Sequence, residues 1–182
     1  MAGLKDIKRR IKSVKNTKKI TYAMKLVSAA KLKKAQDAVK ASREYTDALT
    51  ELLANLSREC EGADFSHPLM EAHTEVKKVR LIIIGGSRGL CGGYNTNINK
   101  RVLKAIDELS EKHPGAVIES VILGKKPAEF FRIRQMKYAA SHEGLPEDAN
   151  LWPVDDICLQ LESDFLKGEI DEAYLLYTQF RS

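Results

Sequence analysis

From Leu4 onward, the first third of the chain contains no residue that ordinarily ends a helix. Residues 4–61 include neither glycine nor proline, and apolar residues recur along them every three or four positions. The seam begins with Leu4, Ile7, Ile11 and Val14 and continues through Met24, Val27, Ala38, Tyr45, Leu49, Leu52 and Leu56. This spacing predicts one long helix with a narrow apolar stripe, which is typical of a coiled coil. At 1.5 Å per residue the helix would extend roughly 80 Å, a length that favours an assembly or mechanical element.

Charge is concentrated in the same segment. Residues 1–40 hold 13 Lys or Arg against two Asp, a net charge of +11, and because the whole chain carries +5 the remaining residues sum to −6. This basic arm predicts attraction to an acidic surface, and charge alone leaves nucleic acid, an anionic membrane and an acidic protein open. Only two of the 13 basic residues are arginines, and Tyr22 is the single aromatic residue of the arm. Nucleic-acid binding usually employs more of both, so the composition favours a protein partner.

Beyond Gly62 the pattern changes to an alternation of strands and helices. Strands are predicted at 79–84, 117–123, 136–140 and 173–180, and helices at 97–113, at 127–133 and from Val154 to a stop at Gly168. The alternation predicts an α/β fold, with a Rossmann-like, mostly parallel sheet and helices on its faces. The predicted organisation is therefore a long basic helix over 1–61, a connector over 62–76 and an α/β domain over 77–182.

No residue pattern predicts an enzyme. Cys60, Cys91 and Cys158 form no paired motif, which indicates a reducing compartment. The four histidines and three cysteines lack the spacing of metal ligands, and no nucleophile has a base in a recognised register. The longest apolar run, near 81–84, is far shorter than the roughly 20 residues of a membrane span. The sequence therefore predicts no catalytic residue, no cofactor and no metal.

The segment Ile82–Asn97 is rich in glycine and lies between a predicted strand and a predicted helix, where doubly wound folds bind phosphates. It contains neither GxGxxG nor GxxxxGK[ST], so a nucleotide-binding enzyme is the less favoured alternative. We interpret the segment, with glycines at 85, 86, 89, 92 and 93, as a tight, close-packed crossover whose glycines let the helix approach the sheet. Gly89, Cys91, Gly92 and Gly93 are its predicted structural turn. In this interpretation Cys91 is a packed, unreactive thiol.

Three blocks of sequence carry a family resemblance. They are IKRRIKSVKNTKKITYAMKLVSAAKLKKAQ (Ile7–Gln36), SRGLCGGYNTN (Ser87–Asn97) and EAYLLYTQFRS (Glu172–Ser182). Together and in this order they resemble the gamma subunit of F-type, proton-translocating ATP synthases. Ser87 stands where that family usually has Asp, which leaves Arg88 without a neighbouring acid. The match spans nearly the whole chain.

The resemblance implies a non-catalytic rotor subunit of the central stalk, which couples ion-driven rotation to conformational cycling of the catalytic alpha/beta hexamer. Its implied partners are the alpha and beta subunits, the epsilon subunit and the ring of c subunits, with no nucleic acid. Its implied location is peripheral, at the cytoplasmic face of the bacterial inner membrane. Met24 would face an acidic lever segment of the beta subunit, with Lys18, Lys19 and Lys25 in electrostatic contact. Leu4, Ile7, Ile11 and Val14 would form the coiled-coil seam against a C-terminal helix.

That C-terminal helix is absent from the 182 residues. We therefore expect a truncated form, and self-association of this form is a further expectation because its seam has no partner. The alternative function, should the resemblance mislead, is a nucleic-acid-binding α/β module with a basic helical arm.

Overall fold

The computed structural model describes residues 3–60, 67–70 and 73–180. The chain divides into two compact units, residues 1–65 and 66–182. The first unit contains helix α1, Leu4–Cys60, whose 57 residues confirm the long helix predicted from the sequence. The predicted boundary between helix and connector at 61–62 lies outside the described residues, and the domain limits stay a prediction.

The second unit is built on a four-stranded sheet. Its strands are β1 (Lys78–Ile84), β2 (Val117–Leu123), β3 (Ala140–His142) and β4 (Glu172–Leu176). The strand order is β3-β2-β1-β4, and all three neighbouring pairs are parallel. This is the order in which a doubly wound fold begins, with its switch point between β1 and β4. The predicted α/β fold with a mostly parallel sheet is confirmed.

Helices cover both faces of this sheet. They are α2 (Tyr94–Lys112), α3 (Lys125–Ile133) and α4 (Val154–Leu166), with short 3-10 turns at Pro68–Met70 and Ala149–Leu151. Because side chains alternate along a strand, β1 supplies two cores. Val79, Leu81 and Ile83 pack with buried residues of α2 and α3, whereas Ile82 packs with Val121 and Leu123 near α4.

Three elements differ from the sequence prediction by more than two residues at one limit. Helix α2 begins at Tyr94 rather than at Asn97, directly after the turn that Gly92 and Gly93 make. The predicted strand at 136–140 was wrong, because strand β3 occupies Ala140–His142 instead. The last strand ends at Leu176 rather than at 180, because its partner β1 ends one residue beyond Ile83, which pairs with Leu176.

A buried ion-pair network lies on the α4 side of the sheet. Arg80 of β1 donates to Glu119 of β2 at 3.1 Å and lies 3.1 Å from Asp164 of α4. Asp164 is 4% exposed and Arg80 is 9% exposed, so both charges are withdrawn from water. Gln160 donates to the other oxygen of Asp164 at 2.5 Å. Two neighbouring strands and one helix are therefore linked by charge as well as by apolar packing.

Candidate interaction surfaces

Helix α1 presents its apolar seam to solvent. From Leu4 to Glu59 every side chain is exposed except that of Gln36, which is half-buried. The predicted seam residues Leu4, Ile7, Ile11 and Val14 are 73%, 49%, 50% and 68% exposed. Isolated exposed apolar residues are ordinary, but a row of them at helical spacing marks an interaction surface.

The seam follows a heptad rather than a straight 3.6-residue period. Positions spaced alternately by three and four residues are apolar from Leu4 to Val14, and again at Leu32, Ala35 and Val39. The same phase returns at Leu49, Leu53 and Leu56, all three of which are exposed. A repeat of 3.5 residues stays on one side of a helix only if the helix winds around a partner, so the pattern indicates a left-handed coiled coil.

Between residues 18 and 28 the positions of this heptad phase are polar, and Met24 and Val27 of the predicted seam lie outside the phase. The polar positions of the phase are Lys18, Thr21, Lys25 and Ser28. At about 100° per residue, Met24 lies roughly 100–140° around the helix from each of Lys18, Lys19 and Lys25. Met24 is 51% exposed. The four predicted contact residues therefore lie close along α1 but on different sides of it, so one flat partner surface could not meet them all.

In the second unit, the glycines that permit close packing lie at the ends of β1 and β2. A methyl group on Gly85 would lie 2.8 Å from a ring carbon of Pro127 in α3. At Gly124 it would lie 2.3 Å from the carbonyl oxygen of Gly85, and φ there is +117°. Gly85 donates to the carbonyl of Leu123 at 2.9 Å, and Lys126 donates to that of Gly86 at 2.9 Å. Close approach of the helices to the sheet therefore depends on Gly85 and Gly86, whereas Gly124 permits close approach between the ends of β1 and β2.

The glycines of the predicted structural turn, Gly89, Gly92 and Gly93, have no such close neighbours. A methyl group on Gly89 or Gly92 would meet nothing within 4 Å, and Gly92 is required for its positive φ of +57°. On Gly93 it would make only ordinary contacts with Asn97, from 3.5 Å. The interpretation as a close-packed crossover therefore holds at Gly85 and Gly86 but was wrong for Gly89, Gly92 and Gly93. They shape an exposed loop that leads into α2.

Cys91 was also misread, because its thiol is exposed rather than packed. Its sulfur accepts a hydrogen bond from Asn95 at 3.0 Å, and Asn95 also donates to the carbonyl of Arg88. The neighbouring Leu90 is 98% exposed and has a φ of +58°, a conformation unusual for leucine. The loop therefore presents an apolar tip that sequence reasoning missed. The only signal for it was a leucine placed between turn-forming residues.

Ser87 and Arg88 show what replaces the acid that the resemblance implied. The hydroxyl of Ser87 accepts from the backbone N–H of Lys125 at 3.3 Å, at the start of α3. Arg88 forms an ion pair of 2.5 Å with Glu147, from the segment before α4. The arginine thus finds its acid from another part of the unit. Both side chains are more than half exposed, so this pair contributes little to stability.

A cavity of about 370 Å³ opens beside this loop, with Gly86, Tyr94, Pro146 and Trp152 among its lining residues. Arg88 and Glu147 both line this cavity and form an ion pair with each other at its edge. Within residues 3–60, 67–70 and 73–180 no group of three or more His, Cys, Asp or Glu could hold a metal ion. In the same ranges no helix is long and apolar enough to cross a membrane.

The fold and surfaces define a class: a Rossmann-like α/β domain joined in sequence to a long, exposed, basic helix with a heptad seam. A family model described as ATP synthase matches residues 3–182. The chain belongs to this family.

Curated relatives are ATP synthase gamma chains. Those of Synechococcus sp. and Trichormus variabilis are each 42% identical over 182 residues, all of this chain and 57% of their own length. The chain thus spans little more than half the length of the relatives it matches. Among solved structures, the rotor of the Euglena gracilis mitochondrial ATP synthase is similar with a TM-score of 0.57. That likeness covers 99% of this chain and 59% of the other at 17% identity, so it bears on the fold alone.

Proposed function

We propose that this chain acts in the central stalk of an ATP synthase, as a rotor subunit that couples ion-driven rotation to conformational cycling of an alpha/beta hexamer. The observation that carries the proposal is the exposed heptad seam of α1 together with the +11 charge of residues 1–40. Such a helix is suited to winding around a second helix inside an acidic collar. The relatives named above are gamma chains, which supports the same role.

In this role the chain performs no catalysis itself. A rotor can drive chemistry elsewhere only by binding the conformations of its neighbours unequally, which shifts their populations. The alpha and beta subunits are the proposed neighbours of α1, and the epsilon subunit and c ring the proposed neighbours of the second unit. The chain would then lie peripherally at the membrane, on the cytoplasmic side in a bacterium.

Lys18, Lys19 and Lys25 are proposed to attract acidic segments of the beta subunits, while Met24 makes an apolar contact from another side of the helix. Because an asymmetric shaft must meet three beta subunits in turn, contacts on several sides of α1 are compatible with rotation. In the second unit, the exposed tip formed by Leu90 is a further proposed contact.

The proposal is tested by introducing Met24→Lys. The added ammonium would face an acidic segment of a beta subunit, so we expect binding to co-expressed alpha and beta subunits to tighten about fivefold at low salt, as for about 1 kcal/mol of added attraction, and the tighter contact to hinder rotation. ATP-driven ion pumping by the assembled complex should fall relative to ATP hydrolysis. Met24→Leu is the matched control, since it keeps an apolar side chain of similar size at the same exposed position and adds no charge.

Unchanged pumping in the Met24→Lys complex would contradict the proposed contact. Failure of the unmodified chain to co-purify with alpha and beta subunits would contradict the proposed function itself. Salt-dependent binding to DNA at physiological ionic strength would instead revive the nucleic-acid alternative.

A further inference from the structure

We propose that His73 is a pH-responsive latch, which fastens the segment before β1 to the start of β4 when its imidazole ring is protonated. Nδ1 of His73 lies 2.7 Å from Oδ1 of Asp171, the residue directly before β4. The two residues are 98 positions apart, so the contact joins distant segments of the second unit. The inference concerns contacts within this unit and does not depend on the proposed rotor function.

Asp171 connects the imidazole ring to the backbone of the first strand. Its other oxygen accepts from the backbone N–H groups of Lys77 and Lys78, each at 2.8 Å, and Lys78 is the first residue of β1. The N–H of Asp171 in turn donates to the carbonyl of Lys78 at 2.9 Å. A stronger contact between His73 and Asp171 therefore also holds the carboxylate toward these two amides.

The ring of His73 has two neighbours that attract a positive charge. Besides the carboxylate of Asp171, Phe165 of α4 stacks on the imidazole, with ring centroids 4.6 Å apart and planes inclined by 19°. A cation is attracted by the face of an aromatic ring, and a hydrogen bond to a carboxylate is stronger when its donor is also charged. The side chains of His73 and Asp171 are 28% and 11% exposed, so water screens their contact only in part. Both contacts are therefore stronger when the ring is protonated.

The two lysines whose backbone amides reach Asp171 direct their ammonium groups to other acids. Nζ of Lys77 lies 3.0 Å from Glu75, and Nζ of Lys78 lies 3.0 Å from Glu119. These ammonium groups therefore do not take the place of the imidazole on the carboxylate of Asp171.

His113 provides a comparison within the same unit. Its Nε2 lies 3.0 Å from Oε2 of Glu172, but Nζ of Lys112 lies 3.2 Å from the same oxygen. Because a lysine keeps its charge throughout the neutral range, the carboxylate of Glu172 is compensated whether or not His113 is protonated. We therefore expect His73, rather than His113, to control the response to pH.

The pH range of the latch follows from its two groups. Burial alone would raise the pKa of Asp171, but hydrogen bonds from His73, Lys78 and Lys77 hold that pKa below its ordinary value, so the carboxylate stays charged above about pH 4. Histidine side chains ordinarily change charge between about pH 5 and 8. The ion pair is therefore present near the acidic end of that range, and its contribution is lost as pH rises and the ring gives up its proton.

The test is native-state hydrogen exchange of the full chain, followed at the amides of Lys77 and Lys78 and corrected for the intrinsic effect of pH on exchange. We expect protection at about pH 5.5 to exceed that at about pH 8 by about three- to fivefold, the upper range for one partly exposed ion pair. His73→Gln keeps a neutral donor toward Asp171 but cannot be charged, so the response should disappear. His113→Gln is the matched control and should retain it.

Equal protection of these amides at the two pH values in the unmodified chain would overturn the proposal without any substitution. Persistence of the response in His73→Gln would also overturn it, and so would its loss in His113→Gln. Because the experiment contains no alpha or beta subunits, its failure is distinguishable from failure of the proposed rotor function.

Discussion

Asp171 shows how one carboxylate can hold two parallel strands together at their amino ends. One oxygen accepts backbone hydrogen bonds from Lys77 and Lys78, each at 2.8 Å, and the other lies 2.7 Å from Nδ1 of His73. His73 in turn stacks on Phe165, with ring centroids 4.6 Å apart. Burial alone would raise the pKa of Asp171, but the hydrogen bonds from His73, Lys78 and Lys77 outweigh it and hold that pKa below its ordinary value.

Asp171→Asn should therefore destabilise the second unit in a manner that depends on pH. The native pKa lies below the unfolded value near 4, so the carboxylate stabilises the fold above about pH 4, and this contribution is lost as pH falls through the native pKa. We expect the variant to lose about 1–3 kcal/mol of unfolding free energy at neutral pH, because an amide satisfies the two N–H donors less well. The difference in unfolding free energy between variant and wild type should be smaller at pH 3.

Urea unfolding followed by the fluorescence of Trp152, which is half-buried in the same unit, measures both effects. Asp107→Asn is the matched control, because Asp107 is exposed on α2 and its loss should cost little at either pH. An equal gap at pH 7 and pH 3 would show that the carboxylate's charge is not the source of the stability.

At the level of single residues, the glycine loop after β1 shows how much of the structure could be predicted from the sequence. A turn after β1 was predictable, because five glycines fall at 85, 86, 89, 92 and 93. The sequence could not predict which glycines permit close packing, because the atoms that exclude a side chain at Gly85 and Gly124 come from elsewhere in the chain. A methyl on Gly85 would meet Pro127, 42 positions away, and only the folded sheet brings the two together.

Between elements, the network of Arg80, Asp164 and Glu119 has a cost as well as a benefit. Arg80 and Asp164 are almost fully withdrawn from water, so each charge depends on its partners for compensation. The Nε atom of Arg80 is buried and has no hydrogen-bond partner within the described residues. The guanidinium of Arg80 thus lacks one hydrogen bond, and loss of either carboxylate should lower the unfolding free energy strongly.

We expect Asp164→Asn to lower the unfolding free energy by about 3–5 kcal/mol, since it leaves the buried guanidinium short of compensating charge. Glu162→Gln is the control: it lies in the same helix but is exposed, and its effect should stay within about 0.5 kcal/mol. Both are measured by denaturant unfolding of the full chain.

A double variant, Arg80→Met/Asp164→Leu, should recover most of the loss by replacing the pair with apolar side chains. If Asp164→Asn proved as stable as the wild type, the ion pair would contribute nothing to joining β1 to α4.

The elements themselves were predictable to different degrees. Strand β2 is where the apolar run predicts it, at Val117–Leu123. Strand β3 was misplaced because the apolar residues before it serve another purpose: Tyr138 packs edge-on against Phe131, with centroids 6.2 Å apart. Its three residues, Ala140–His142, carry no β-branched pattern and form a strand only because β2 offers them an edge.

For the molecule as a whole, the sequence predicts the architecture better than the function. A long helix without breakers and an alternation of strands and helices were sufficient for the fold, because both are local periodicities. The rotor role came from the resemblance of three blocks, since no arrangement of the described side chains specifies it.

The two units should differ sharply in local stability, and hydrogen exchange of the full chain measures this directly. Almost every side chain of α1 is exposed, so tertiary packing within its unit adds little to its backbone hydrogen bonds. In β1 and β2 the fully buried side chains of Val79, Ile83 and Ile122 stabilise the hydrogen bonds between the two strands. At a few micromolar we expect the amides of β1 and β2 to exchange at least a thousandfold more slowly than those of residues 4–40.

Raising the salt concentration from about 0.01 M to 0.1 M shortens the screening length from about 30 Å to about 10 Å. Repulsion among the 13 basic residues of the arm weakens accordingly, and the protection of residues 4–40 should rise. The sheet, whose charges are paired or buried, should change little and serves as the internal reference. Protection of α1 equal to that of β1 under dilute, low-salt conditions would mean that the helix is held by contacts other than its own hydrogen bonds. A helix whose hydrogen bonds open and close in this way leaves its apolar seam free to accept a partner helix.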